Sequence, residues 1–310
     1  MKNIFIKPLK PTFKTASWLL KLMVLISLAV ALLQHFGVIE WVAQYLNPVF
    51  ELMGLPGSSA IMFISGATVG TYAGIATMAS IQLTMRQATI IGLMIAICHA
   101  LPMECSVNKK TGSPFWRMGF IRIVMAFACA VYLNTVLPEM NAPYVYMGAA
   151  QDSTLMEVLT TWCISQLKMS VVVVIIIYSL MVVQQLIEAY NLLPKISQSL
   201  SPLMRLFGLP AKAAYMWLVG NVLGISYGSA VMIDLEERGL ISKEEARETN
   251  YHLIMNHSLL EDTIVFALTG ISAFWIISTR VLFAMIVVWL RKGIVKVGMH
   301  KKRFMCYKQT

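Results

Sequence analysis

The sequence is poor in charge. Asp, Glu, Lys and Arg make up 13% of its 310 residues, against roughly 25% in soluble domains. With 58% of residues hydrophobic, a soluble globule is excluded and an all-α integral membrane protein is expected. The five cysteines (Cys98, Cys105, Cys129, Cys163 and Cys306) form no CxxC and no paired spacing, which excludes a disulfide framework. There is no His-Glu-x-x-His, no Gly-x-Ser-x-Gly and no phosphate loop. Enzyme chemistry therefore has no seat, and no cofactor is expected. No basic patch is interleaved with aromatics, so nucleic acid is not an expected partner. The net charge of +10 gathers in the first fifteen residues, a few internal loops and the stretch from Arg291, as cytoplasmic segments beside anionic lipid do. The loop from Glu139 to Ser153 has no Lys or Arg at all. The first apolar run, Trp18 to Phe36, ends in Gln34-His35-Phe36 without a small-residue cleavage site. It reads as a retained span rather than a signal peptide.

What is present is a stretch that occurs twice. Pro48, Gly54-Leu55-Pro56, Gly66, Gly70 and Gly74 are matched by Pro202, Gly208-Leu209-Pro210, Gly220, Gly224 and Gly228, every one at an offset of 154. After a slip of four residues, His99, Leu101, Glu104 and Arg122 match His257, Leu259, Asp262 and Arg280 at an offset of 158. Such matching indicates an internal duplication.

In chain order, the Lys-bearing residues 1–16 precede the first span. Trp41 to Met53 and Tyr190 to Phe207 read as amphipathic helices lying at the interface. Ser58 to Leu83 and Ala211 to Leu235 are apolar but broken by glycines, each either one glycine-rich span or a re-entrant hairpin. Thr89 to Pro102, Phe115 to Leu137, Leu155 to Glu188, Thr249 to Gly270 and Ile271 to Leu290 are further membrane segments, and Asp234 to Glu248 is a charged loop.

Charge chooses between the alternatives. If both glycine-broken segments span, Lys109, Lys110, Arg117, Lys195, Arg205 and Lys212 fall outside and the Lys-free loop around Asp152 falls inside. If both are re-entrant, all six basic residues fall inside, the Lys-free loop falls outside, and Arg86 alone is an exception. The positive-inside rule favours the second arrangement. It gives about six spans plus two re-entrant glycine-broken hairpins. The first copy then starts outside and the second inside, so the repeats are inverted, as in secondary transporters.

Glu104, Asp262, Arg122 and Arg280 stand at or near membrane depth, where an unpaired charge costs about 2.5–3.5 kcal/mol on insertion scales. Each must pair or face water. The plain reading is an Arg–carboxylate bridge pinning each half; the functional one is a solute or ion path. For that path the candidates are Glu104, Asp262, Arg122, Arg280, His99, His257, Asn221, Ser226, Thr68 and Thr71. The glycines serve either close helix packing or an opening of backbone toward a polar solute. His257 and Glu261, four apart, are expected to share a helix face, and Met103 stands at the same spacing from His99. A metal alternative therefore comprises His99, Glu104, Cys105, His257, Glu261 and Asp262. The 22 methionines read as packing residues.

On the twice-repeated interfacial helix, Gly-Leu-Pro, glycine-broken segment and polar-interrupted helix, most of the chain resembles the Gate-domain membrane proteins. These include the nucleoside-recognition region of concentrative nucleoside transporters, the membrane part of the bacterial ferrous-iron permease, and the spore maturation membrane proteins. The resemblance implies that the broken segments form the hairpins and unwound helices of a solute site. The GTPase domain of the iron permease and the extra spans of the nucleoside transporters have no counterpart here. The expected organisation is a cytoplasmic N-terminus (1–16), a first Gate repeat (17–137), an extracytoplasmic linker (138–154), a second Gate repeat (155–295) and a basic cytoplasmic tail (296–310). The expected function is transport of a small polar solute, nucleoside-like, in a bacterial inner membrane with both termini cytoplasmic. The alternatives are a divalent-metal permease and a non-transporting component. The expected partners are the bilayer, the solute, and a second copy or a second membrane protein.

Overall fold

The computed structural model describes residues 6, 9–144, 154–190 and 192–307. Residues 145–153, which include Asp152 of the Lys-free loop, lie outside the described residues. The architecture is all-helical. Helix α1 (Leu9–His35) begins nine residues before the expected span, and α2 (Val38–Glu51) follows after a left-handed Gly37. The α2 helix is strongly amphipathic. It buries Phe50 and exposes Trp41 and Tyr45, which meet edge to face with ring centroids 5.2 Å apart. This is the aromatic side of an interfacial helix.

The first glycine-broken segment is not one helix. It forms α3 (Ser59–Thr68) and α4 (Thr71–Ala79), joined at Gly70, whose φ of 144° suits glycine. The two helices fold back on each other. Ser65 Oγ and Thr77 Oγ1 lie 2.9 Å apart, and Ser65 Oγ donates to Ala73 O at 3.3 Å. At ~1.5 Å rise per residue, ten residues reach about 15 Å, half of a ~30 Å bilayer core. Next come α5 (Met85–Cys98), α6 (Leu101–Lys110) and α7 (Phe115–Val136).

The second half repeats this order. Helix α8 (Leu155–Ala189) leads to α9 (Leu192–Leu206), which is amphipathic like α2. A second hairpin, α10 (Ala213–Val222) and α11 (Ile225–Glu237), turns at Gly224 with φ 93°. Then follow α12 (Lys243–Asn256), α13 (Leu259–Leu268) and α14 (Ala273–Tyr307). The expected charged loop at 234–248 shrinks to residues 238–242, because the acidic and basic residues on either side continue α11 and begin α12. Helix α14 likewise runs on through the expected tail to Tyr307.

Matched positions do matched work. Thr84 and Gln87 form a capping box that starts α5; Ser242 and Glu245, 158 residues later, form the one that starts α12. A Cβ placed on Gly66 would stand 2.8 Å from Ile95, and one on Gly220 would stand 2.8 Å from Leu253, again 158 beyond Ile95. The flanking glycines therefore let a hairpin pack on its neighbouring helix, while Gly70 and Gly224 supply the bends.

Burial follows membrane logic. Helix α7 exposes Trp116, Phe120, Ile123, Val124 and Val131, and turns Met118, Arg122, Ala126, Cys129, Ala130 and Leu133 inward. The mid-helix charge, Arg122, is inside, Arg117 in the first turn is exposed, and the large apolar side chains are outside. In α5 every residue from Ala88 to Cys98 is buried, which makes it a central helix. Among the described residues, Met85–Lys110, Phe115–Val136 and Ala273–Lys296 are long and apolar enough to cross a membrane. The two halves meet where α5 packs on α12 and α6 on α11, while α1 packs along α8. Arg86, the exception to the charge pattern, reaches the last turn of α7. It donates to Asn134 Oδ1 at 2.7 Å and Asn134 O at 2.6 Å, a cation at a helix C-terminus.

Candidate functional site

The site grows from two helix breaks. Helix α5 stops because His99 is extended (ψ 157°) and Ala100 is left-handed (φ 45°), after which α6 starts with Pro102 in its first turn. Helix α12 stops in the same way at His257 (ψ 160°) and Ser258 (φ 53°). Neither left-handed residue is glycine, and such residues are uncommon outside constrained places. Each is held by the adjacent hairpin: Ala100 N donates to Gly66 O and Ser258 N donates to Gly220 O, both at 3.0 Å.

A break leaves helix carbonyls without partners. Arg122 takes up two of them, donating from Nε to Ile97 O (2.8 Å) and from Nη2 to His99 O (2.9 Å). Its Nη1 donates to Glu104 Oε2 at 2.5 Å. Arg280 repeats the pattern on Met255 O (3.0 Å), His257 O (2.6 Å) and Asp262 Oδ2 (2.7 Å). The planar guanidinium thus ties the negative end of one helix to a carboxylate in the first turn of the next. Arg122 and Arg280 are fully buried. The plain reading of these pairs, a bridge pinning each half, describes what the two arginines do here.

The carboxylates do more. Glu104 Oε1 lies 3.1 Å from His99 Nε2 and 3.0 Å from His257 Nε2 of the other half. The two imidazole centroids are 5.0 Å apart. Asp262, one methylene shorter, does not reach the histidines in this way. Its Oδ1 accepts from Thr71 Oγ1 of the first hairpin at 3.2 Å. Neighbouring Glu261 accepts from Tyr72 OH, also at 3.2 Å. The halves are therefore joined through polar groups on both sides of the centre.

Of the sequence candidates, His99, Glu104, Arg122, His257, Asp262, Arg280 and Thr71 come together. Thr68 does not: it is exposed, and its hydroxyl donates back to Ile64 O. Asn221 is buried in α10, with Nδ2 donating to Trp217 O and Oδ1 making no hydrogen bond. The Ser226 side chain lies outside the described residues. The expected shared helix face of His257 and Glu261 is overturned, because left-handed Ser258 interrupts the helix between them. Met103 is exposed. Of the metal alternative, His99, Glu104 and His257 bring donor atoms within 4.8 Å of one another. Cys105 instead faces α7, where its Sγ would stand 3.7 Å from a Cβ placed on Gly119. Tyr72 was not among the candidates, and its one sequence signal is its place two residues after the bend glycine.

Comparison with known proteins bears on this architecture. Residues 16–104 match the family described as Gate, nucleoside recognition. The uncharacterized membrane protein YvoD of Bacillus subtilis (strain 168) is 31% identical over 294 residues, covering 92% of this chain and 93% of that protein. A solved structure of a CNTnw variant in the intermediate 2 state has a similar fold, with a TM-score of 0.53 at 12% identity over 87% of this chain and 75% of that chain.

Proposed function

This chain belongs to the Gate, nucleoside-recognition, family of membrane proteins, and on that premise we propose that it is a transporter or permease for a small polar, nucleoside-like solute. One observation carries the reading. Two hairpins bend at Gly70 and Gly224, both bends lack side-chain caps, and both abut the same buried charged centre. Thr71, the first residue after one bend, donates to Asp262. At the other bend, a Cβ on Gly224 would stand 3.3 Å from Ser258 Oγ. Half-membrane helices whose N-terminal N–H groups point at a midplane site are how secondary transporters hold polar solutes.

In this reading the two Gate repeats are inverted, six helices span a bacterial inner membrane, and both termini are cytoplasmic. The solute's hydroxyl and amine groups meet the bends and the outer faces of Asp262, Glu261 and Tyr72, while the arginines keep the breaks rigid. The test is thermal stability of the purified chain in detergent with nucleosides, nucleobases and small organic anions. A solute at about 100 times its Kd adds roughly 2.7 kcal/mol. A shift with the nucleoside set, reduced in Thr71→Val, supports the reading. No shift with any set, together with co-purification of a second membrane protein, contradicts it and favours a non-transporting component.

A further inference from the structure

We propose that His99, Glu104 and His257 form a binding site for one divalent first-row transition metal ion, a site that spans the two halves of the molecule. The inference goes beyond the solute reading and does not depend on it.

The argument begins with the tautomers. His99 Nδ1 lies 3.1 Å from Ala96 O and 3.3 Å from Ile95 O, and His257 Nδ1 lies 2.7 Å from Leu253 O. A carbonyl only accepts, so each Nδ1 carries a hydrogen. When the rings are neutral, each presents the lone pair of Nε2 to Glu104 Oε1, itself an acceptor. Nε2 of both histidines and Oε1 of Glu104 converge in a buried space, all within 4.8 Å of one another, with the His257 side chain only 1% exposed. In that neutral state a single cation satisfies all three atoms at once.

The surroundings are those of a metal site. Ligating histidines characteristically donate the other ring N–H to a backbone carbonyl, and ligating carboxylates are themselves hydrogen-bonded. Both conditions hold, since Arg122 binds the far oxygen of Glu104. Metal–ligand bonds of about 2.0–2.1 Å at tetrahedral angles set ligand atoms about 3.3 Å apart. The two histidine–carboxylate separations of 3.0 and 3.1 Å need a slight opening, and all three donor atoms lie within 4.8 Å of one another. Two imidazoles with one carboxylate suit Zn2+, Fe2+ or Co2+ and leave a coordination position open. Mg2+ and Ca2+ prefer all-oxygen sites. Because His99 and Glu104 belong to one half and His257 to the other, a bound ion fastens the halves together.

The test uses the full chain, purified in detergent with its affinity tag removed and without chelator. Elemental analysis after gel filtration is expected to give about one equivalent of a transition metal per chain. After chelation, added Zn2+ is expected to raise the melting temperature by about 5–10 °C, and Mg2+ is expected to leave it unchanged. Co2+ is expected to give the visible absorption of a low-symmetry N/O site. His257→Asn abolishes all three responses, while His35→Ala, outside the site, keeps them. Should His257→Asn fail to fold, the wild-type metal content and Co2+ spectrum still decide. No stoichiometric metal and no shift with Zn2+, Fe2+ or Co2+ in the wild type overturns the proposal and leaves a shared proton as the occupant. A solute shift without any metal response sinks the ion and spares the transporter; a metal response without a solute shift does the reverse.

Discussion

Glu104 and His257 come from different halves of the chain, yet Glu104 Oε1 and His257 Nε2 stand 3.0 Å apart in the buried centre. The contact depends on two breaks. His257 faces the centre because α12 ends there, and Glu104 reaches it because α6 restarts the chain one residue after Ala100. The chemistry of the centre is thus set by the failure of two helices to continue.

The arginine clamps carry the first prediction. Arg280→Ala leaves Asp262 buried without its main partner and is expected to cost about 3–5 kcal/mol. The paired variant Arg280→Leu with Asp262→Leu is expected to cost clearly less than the sum of the two single changes. Thermal unfolding in detergent measures both; additive losses would show that the two side chains are not coupled.

Helix packing carries the second. Gly66→Ala pushes a methyl to 2.8 Å from Ile95, and Gly220→Ala does the same against Leu253. Each is expected to cost about 1–3 kcal/mol by overpacking. Gly293→Ala, with no neighbour within 4 Å, is expected to be neutral. Melting temperatures of the three variants check the ranking.

The left-handed residues carry the third. Ala100→Gly suits the observed φ of 45° and is expected to stay within about 1 kcal/mol of the parent. Ala100→Val places a β-branched side chain in the left-handed region and is expected to be the more destabilising change. Equal stability of the two variants would mean that the turn is not held as described.

A fourth prediction concerns pH at the start of α12. The Ser242 backbone N–H, donating to Glu245 Oε2 at 2.8 Å, holds the Glu245 carboxyl below its ordinary value, and the Ser242 hydroxyl adds to this. The folded-state value is depressed. The stabilisation is therefore present above the unfolded-state value and lost as pH falls through the folded-state value. Ser242→Ala is expected to lower stability by about 1 kcal/mol at neutral pH and to weaken the acid dependence. Melting curves from neutral to acid pH read both effects.

Much of this was legible in the sequence. The duplication at offsets 154 and 158 announced that Arg122 and Arg280 would act alike, and they make the same three kinds of hydrogen bond. The cost of burying charge announced that they would be paired. The glycines gave only a choice between packing and bending, and the structure divides them by position. Other features were hidden. Ala100 and Ser258 have no turn chemistry of their own, and their left-handed backbone is imposed by the hairpins that accept their N–H groups. The contacts of Glu104 with His257 and of Thr71 with Asp262 depend on how the halves dock, which no local spacing encodes. The copies also differ where they matter: Thr71 corresponds to Ile225, which has no hydroxyl, and Glu261 to Met103, which has no carboxylate. Segment limits read from hydropathy do not mark helix ends: after Leu290 the helix continues to Tyr307 in residues that tolerate it.

The central claim is that the hairpin bends and the charged centre between them handle a solute. Its most direct test is uptake of a labelled nucleoside into liposomes containing the purified chain, beside Thr71→Val and Asp262→Asn proteins shown to be folded. The account predicts saturable uptake by the parent protein and at least about a tenfold loss in each variant, equivalent to 1.4 kcal/mol or more. Saturable uptake that is unchanged in both variants, or the absence of uptake by well-folded parent protein, would contradict it.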